Sequence, residues 1–501
     1  MKILTAPQIR EADRQTIAEE NIPSAALMER AANTFTDWFT GKFPDNGQSI
    51  LVCCGPGNNG GDGLAIARML HALHYSVTVW IVSPEKKFSP DFLTNQERLP
   101  TAIPVINIKQ AADIPATLGS DLVIDGLFGT GLSRPVSGIF AEVINYLNNL
   151  PVVKIAIDVP SGLYTEQPNQ PEDAIVQAQY TLSFEVPKLA FLLPQNEKFV
   201  GEWHLVSINL SPDYLQEVKT NKYIISREQV TGLLKPRRKF SHKGTYGHAL
   251  LLAGSYGKMG AAALAAQACL RSGVGLLSVH CPKVGYVVLQ TAVPEAMTLP
   301  DTEETHLTQL PDLNIYQAIG IGPGLGKESA TRNLVRQLLS TTPAPLVIDA
   351  DALNIIAEEN LQANLPAHSI LTPHPKEFER LAGPAANDYH RLELLQEFCR
   401  NYQCYVVLKG GHTCIGTPAG ELYFNITGNP GMATGGTGDV LTGIITALVA
   451  QKYSPLDACC LGVYIHGLAG DLARNQIGAI SLIASDLIEN LGAAFGQLSQ
   501  N

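Results

Sequence analysis

Short apolar runs recur along the chain. Each ends in a glycine-rich or polar turn and leads into a longer stretch with apolar residues three and four positions apart. In the first half SILVCCG (49–55), SVTVWIV (76–82), DLVIDGLFG (121–129), KIAIDVPSG (154–162) and YTLSFEV (180–186) read as strands, and LAIARMLHAL (64–73) as an amphipathic helix. Thr5 ahead of IREADRQTIAEE predicts a capped helix near the start. Near-continuous β-branched runs alternating with helices predict a parallel, doubly wound sheet, hence a Rossmann-like three-layer α/β domain. The pattern restarts with HALLLAG (248–254), LLSVHC (276–281), YQAIGIG (316–322), PLVIDA (345–350) and CYVVLKG (404–410) as strands. The helical segments there are AAALAAQACLRSG (261–273), DVLTGIITALVA (439–450), LDACCLGVYIHGLAGDLA (456–473) and ASDLIENLGAAF (484–495).

A polar stretch (211–223) and a basic one, KPRRKFSHKG (235–244), separate the halves. The expected organisation is a first domain over 1–215, a linker over 216–243 and a second α/β domain over 244–501. The cluster at 235–239 reads as a solvated loop, whereas Lys243 fits either such a loop or contact with an anion.

Length agrees with two domains, since 501 residues exceed one hydrophobic core. Apolar residues make up 45% and charged ones only 16%, the composition of a well-buried globular protein. A net charge of -11 repels phosphate backbones, so no nucleic-acid partner is expected. The nine cysteines form no CxxC, and Cys53/Cys54 and Cys459/Cys460 sit inside apolar runs, where they act as small hydrophobes. The start carries charge where a signal peptide needs an apolar core, and no uncharged apolar stretch approaches the roughly 20 residues of a membrane span. A cytoplasmic protein off the membrane is expected, with short apolar helices that leave room for a homo-oligomer.

In open α/β sheets ligands bind at the carboxyl ends of strands. GPGNNGGDG (55–63), GLFGTGLSRP (126–135) and VPSGL (159–163) follow three such ends. They bring Asn59, Asp125, Asp158 and Ser161, oxygen donors without His or Cys, which suit a hard cation. Any one of these acids alone reads best as a loop or helix cap. Three loops on one sheet edge read as a site. In the second half LTPHPKEF (371–378) places His374 before a helix, and VLKGGHT (407–413) ends a strand with Lys409 and two glycines. NPGMATGGTGDVLTGI (429–444) then surrounds Asp439 with glycines ahead of an apolar helix. Amides aimed from such a turn make an anion hole, and an adjacent carboxylate can take a proton from a hydroxyl attacking a phosphoryl group. On position alone an N-cap explains Asp439 as well as a base does. Glycines on both flanks, which a cap does not need, favour the base. His71 and His74 read as a solvated helix face, His466 as a core histidine and Lys188 as a surface lysine.

These motifs point to a family. CGPGNNGGDG, IDGLFGTGL and IDVPSGL resemble the YjeF N-terminal epimerase domain. HKGTYGHALLLAGSYGKMGAAALAA, IGIGPGLG, VIDADALN, LTPHPKEF, VLKGGHT and GNPGMATGGTGDVLTGI resemble the ribokinase-like dehydratase domain. In this order they resemble the bifunctional NAD(P)H-hydrate repair family. The resemblance implies that the first domain interconverts the R and S hydrates of NADH and NADPH at C6. The second returns the S form to NAD(P)H at the expense of ADP or ATP, with Mg2+, and ADP is favoured on family grounds. It places the hydrate on Asn58, Asn59, Gly60, Gly61, Asp62, Gly129, Thr130, Gly131, Leu132, Ser133, Arg134, Pro135 and Asp158, and potassium (K+) on Asn59, Asp125 and Ser161. In the second domain it places the hydrate on Ala262, Gly324, His374 and Asp439, and the nucleotide on Lys409, Gly410, Gly411, His412, Thr413 and Gly438. Asp439 is then the catalytic base, and Asp158 either assists proton movement or binds ribose. Ala190 stands where the family pattern leads one to expect glycine. The alternatives are a ribokinase-type small-molecule kinase fused to a dinucleotide-binding module, and a first domain that senses dinucleotides without catalysis.

Overall fold

The computed structural model describes residues 1–85, 87–117 and 119–499. The chain divides into two units, residues 2–220 with 387–389, and residues 221–386 and 390 onward with Met1. In the first unit seven strands form one parallel sheet: β1 (Ser49–Cys54), β2 (Ser76–Val82), β3 (Val105–Ile108), β4 (Leu122–Gly126), β5 (Val153–Ile157), β6 (Tyr180–Phe184) and β7 (Glu202–Val206), in the order β3-β2-β1-β4-β5-β6-β7. Side chains alternate across the pleat. Ile50, Val52 and Cys54 pack with Phe35, Phe39, Leu64 and Leu70 of the helices Ser24–Lys42 and Asn58–Ala72. Leu51 and Cys53 face Trp80 and the helix Ile139–Asn148 through Val143 and Leu147. Each large side chain so buried contributes about 1.5–3 kcal/mol. The strand β3 escapes sequence reading because it is an edge strand with only Ile108 buried.

The order reverses at β1, which pairs with both β2 and β4. Loops leaving β1 and β4 therefore part at their carboxyl ends and open a crevice there. NNGGDG is not a loop. The helix begins at Asn58, six residues before the apolar run that reveals it. A Cβ on Gly60 would overlap the Gly55 carbonyl and one on Gly63 would crowd Cys54, so these glycines let the first helical turn lie against β1.

The second unit carries ten strands: β8 (Lys222–Ile224), β9 (His248–Leu252), β10 (Leu276–Cys281), β11 (Met297–Pro300), β12 (Ala318–Ile321), β13 (Leu346–Ile348), β14 (Ile370–Leu371), β15 (Tyr405–Leu408), β16 (Cys414–Gly416) and β17 (Leu422–Phe424). Their order is β11-β10-β9-β12-β13-β14-β15-β16-β17-β8, parallel except where β16 runs against β15 and β17. The segment read from sequence as linker supplies β8 and the helix Arg227–Leu233, so regular structure of this unit starts well before residue 244. The helix Thr437–Ala450 is buried from Val440 onward and touches the helix Met259–Arg271 so closely that a Cβ on Gly443 would overlap the Ala265 carbonyl. Among the described residues one helix, Pro455–Ile477, is long and apolar enough to cross a membrane, and its Ala458, Cys459, Leu461, Ile465 and Ala469 belong to this unit's core. All nine cysteines are free and buried.

Candidate functional site

The crevice of the first unit is a cavity of about 810 Å3. Asn58, Asn59, Asp62, the run Gly129 to Arg134 and Asp158 line it, whereas Gly60, Gly61 and Pro135 do not. Gly60 and Gly61 face the protein, toward Gly55 and Met28. The first helix adds Arg10, Asp13 and Arg14, which sequence reading left unassigned.

Asp158 takes a left-handed backbone (φ 63°) at the end of β5. Its Oδ1 accepts hydrogen bonds from Lys188 Nζ at 2.6 Å, Ser183 Oγ at 3.0 Å and Phe184 N at 3.2 Å. Lys188 is not a surface lysine. Its side chain is 1% exposed, and the Phe184 and Val186 carbonyls complete its hydrogen bonds at 3.2 and 3.1 Å. Ala190 is fully buried and needs no positive φ, so glycine is not required there.

Behind the cavity wall Asp125 is fully buried. It accepts Ser161 Oγ at 2.6 Å, Ser161 N at 2.8 Å and Leu127 N at 3.2 Å. Burial outweighs these bonds and raises its pKa to about 6. The Phe128 carbonyl lies 3.1 Å from Ser161 Oγ, and a Cβ built on Gly129 would lie 3.3 Å from Asn59 Oδ1. Asn59 Nδ2 is buried with no hydrogen-bond partner among the described residues. Oxygens of Asn59, Phe128 and Ser161 thus lie near the Asp125 carboxylate, which no cationic side chain among the described residues neutralises.

In the second unit Gly436, at φ 94°, holds the N-cap position of the helix Thr437–Ala450. Asp439 is the third helical residue and not the cap. Among the described residues its carboxylate has no hydrogen-bond partner. Burial and then the Asp349 charge, with smaller pushes from Asp351 and Glu377 and a counter-pull from Lys409, bring its pKa up to about 7. Lys409, at the end of β15, meets Asp349 Oδ1 at 2.9 Å, and Thr442 Oγ1 donates to Asp349 Oδ2 at 2.7 Å. Burial works against the Lys409 charge, but Asp349, Glu377 and Asp439 outweigh it and hold its pKa above the usual lysine range. Asp349 therefore ties the strand end to the helix. Sequence reading missed it, since VIDADALN carries only the signature of a strand turning into a helix.

Gly438 backs onto this pair, its notional Cβ 3.2 Å from Lys409 Nζ. A Cβ on Gly411 would meet nothing, so the turn after β15 offers open backbone. His374 caps the helix Pro375–Ala382. Its Nδ1 accepts Lys376 N at 3.1 Å and Glu377 N at 3.3 Å, which leaves the ring proton on Nε2. Gly324 (φ 59°) lies against Lys258, and Ser255 Oγ donates to its carbonyl at 2.7 Å. The Ala262 side chain, expected against the hydrate, is fully buried beside Gly254. His466, expected in the core, is half-buried at the edge of it. Its Nε2 lies 2.9 Å from the Thr437 carbonyl, and burial lowers its pKa to about 4. His71 and His74 share no helix face, because the helix ends at Ala72 and His74 turns left-handed.

Comparison with known proteins follows this division. A family profile described as YjeF-related protein N-terminus matches residues 24–190, and one described as NAD(P)H-hydrate dehydratase matches residues 249–492. The bifunctional NAD(P)H-hydrate repair enzyme of Moorella thermoacetica is 36% identical over 98% of this chain and 96% of its own length. That of Escherichia coli is 33% identical over 97% and 92%. The solved structure of a ribokinase-like superfamily protein from Enterococcus faecalis is 27% identical, with a TM-score of 0.51, over 57% of this chain and 99% of its own.

Proposed function

The chain belongs to the bifunctional NAD(P)H-hydrate repair enzymes, and on that premise we propose how its residues divide the work. The enzyme epimerises the R and S hydrates of NADH and NADPH and dehydrates the S form back to NAD(P)H. Full-length relatives with both activities favour this over the kinase alternative.

One observation carries the dehydratase assignment. Asp439 sits in the amino-terminal turn of a buried helix with a pKa raised to about 7, next to the Lys409–Asp349 pair. Hydroxide leaves a ring poorly and phosphate leaves well. In this reading Asp439 takes the proton of the C6 hydroxyl as its oxygen attacks the terminal phosphoryl group of ADP or ATP. The amides of 435–438 and Lys409 receive the charge on the transferring oxygens. The ring nitrogen lone pair then expels phosphate, and loss of a C5 proton restores the double bond. The nucleotide lies along Lys409 to Thr413 and on Gly438, and the hydrate against Gly324 and His374. A Mg2+ ion arriving with the nucleotide would be held chiefly by the phosphates and water, since among the described residues no three acids form a metal cluster.

The first cavity takes the hydrate, with the helix start at Asn58 and the arginines Arg10, Arg14 and Arg134 matched to the dinucleotide's phosphates. Asn59, Asp125 and Ser161 would hold K+, which when bound neutralises the otherwise unpaired Asp125. Nine buried free thiols support the proposed cytoplasmic setting, and a homo-oligomer belongs to the same reading. The test supplies hydrated NADH with ADP or ATP and follows the return of reduced-nicotinamide absorbance together with free phosphate. Release of a phosphorylated metabolite instead would overturn the reading.

A further inference from the structure

The first cavity holds more acid than binding a dinucleotide calls for. Asp13 enters from the helix Ala6–Glu20, Asp62 from the helix Asn58–Ala72 and Asp158 from the end of β5. Asp158 is occupied, since Lys188, Ser183 and Phe184 all bond its Oδ1. Asp13 and Asp62 are not. Among the described residues neither carboxyl has a hydrogen-bond or ion-pair partner, yet both line the cavity. Acids left open only toward a cavity, beside an anion already satisfied, have no structural task there. An anionic substrate is better served by arginine than by two more carboxylates, so phosphate binding does not explain them either.

We propose that Asp13 and Asp62 are the proton-transfer pair of the epimerisation, each serving one face of the nicotinamide ring. The proposal rests on the epimerase reading of this cavity. In one direction the Asp62 carboxylic acid gives its proton to the C6 hydroxyl oxygen. The C6–O bond breaks, water leaves, and the N1 lone pair closes the N1=C6 iminium. A water on the opposite face adds to C6 and passes its proton to the Asp13 carboxylate. One water is lost and one gained, and C6 is inverted. The proton now rests on Asp13, the state required for the return reaction, and exchange with cavity water resets the pair. The negative field of the carboxylates stabilises the iminium while it exists.

The electrostatics fit these roles. Burial and the Asp158 charge, partly offset by Lys188, raise Asp13 to about 6. Burial and the charges of Asp158, Asp13 and Asp91 raise Asp62 well above the carboxylate range. Asp91, which accepts from Ser24 Oγ at 2.6 Å, Lys188, Arg10, Arg134 and Arg14, itself paired with Glu11, are the other charged groups on the cavity wall. Between about 6 and the higher Asp62 value the pair carries a single proton, one acid and one base.

The experiment starts the full-length enzyme on pure S hydrate without nucleotide and follows the R epimer chromatographically, subtracting the spontaneous rate. Asp13→Asn and Asp62→Asn should each lower kcat by about 100-fold or more with KM little changed. Wild-type kcat/KM should fall as pH drops through about 6, as the Asp13 base is protonated, and the residual rate of Asp13→Asn should lack that fall. Asp13→Glu, which keeps the carboxyl, should restore part of both. Nucleotide-driven dehydration by the same samples should be unchanged. A wild-type enzyme no faster than the spontaneous rate sinks the epimerase reading itself. A competent wild type whose Asp13→Asn form keeps its rate, or keeps the fall near pH 6, overturns the proton-pair assignment alone. If Asp13→Asn does not fold, a flat wild-type profile through that range overturns it equally.

Discussion

Replacing Asp439 by asparagine should make the second unit more stable and nearly inactive, and the two effects share one cause. Burial and the Asp349 charge push the Asp439 carboxyl from an ordinary 3.8 up to about 7, a gap of about 3. At about 1.4 kcal/mol per unit this is a penalty of at most ~4 kcal/mol for holding the ionised form in place. Part of it must be given back. The charge also interacts favourably with the helix amino terminus, worth about 0.3–1 kcal/mol, and the turn is partly solvated, so a gain of about 1–3 kcal/mol is expected. The sign follows from the direction of the shift. A carboxyl whose pKa is raised on folding destabilises the native state above the folded value, less so between the two values, and not at all below the ordinary one. The gain should therefore be full above pH 7 and vanish toward pH 4. Loss of the base should cost 10²–10⁴ in turnover, about 3–5 kcal/mol of barrier, with nucleotide affinity nearly unchanged. Wild-type turnover should itself fall as pH drops through about 7. Calorimetry of the full chain at pH 8 and pH 4.5, absorbance-monitored dehydration and nucleotide titration read these quantities. A variant that keeps wild-type turnover, or is less stable at pH 8, would refute the reasoning.

Lys188→Ala removes one partner of a buried ion pair, so the first unit should lose about 3–5 kcal/mol, seen as a lowered melting transition while nucleotide-driven dehydration persists. Asp125→Asn should abolish any dependence of epimerisation and of first-unit melting on K+, and in potassium-free buffer the variant should melt above wild type. A potassium titration that is unchanged by this substitution removes the Asn59–Asp125–Ser161 assignment. Gly443→Ala forces a methyl into the Ala265 carbonyl. The second unit should lose about 1–3 kcal/mol by chemical denaturation, with epimerisation untouched.

What the sequence disclosed follows from burial. Strands such as β1, β4, β9 and β12, covered on both faces, show as unbroken apolar runs, and the fold class and both ligand-bearing sheet edges follow from them. The edge strand β3, half-exposed, and the two- and three-residue strands β14, β16 and β17 leave no such trace. The site was legible where glycine marks it, as at Asp439, although Gly436 and Gly443 beside it also answer to a left-handed turn and to close helix packing. It was illegible where the signal lies in three dimensions. Asp13 sits in IREADRQTIAEE among charges typical of a solvated helix face, and nothing in one dimension says that its face closes a cavity. Lys188 misleads for the same reason, since a lysine is normally solvated and only Asp158 and the surrounding carbonyls make its burial tolerable.

The strand β8 decides where this protein can be cut. A dehydratase half prepared from residue 244 onward would begin at the first obvious motif and discard residues 222–224, leaving the main chain of β17 bare along its whole outer side. Such an unprotected border recruits other chains, so that fragment should precipitate or dimerise edge to edge. A fragment begun at residue 221 keeps β8 over that border and forfeits only the pairing of Met1 with Ile224, so it should be the more dispersed of the two.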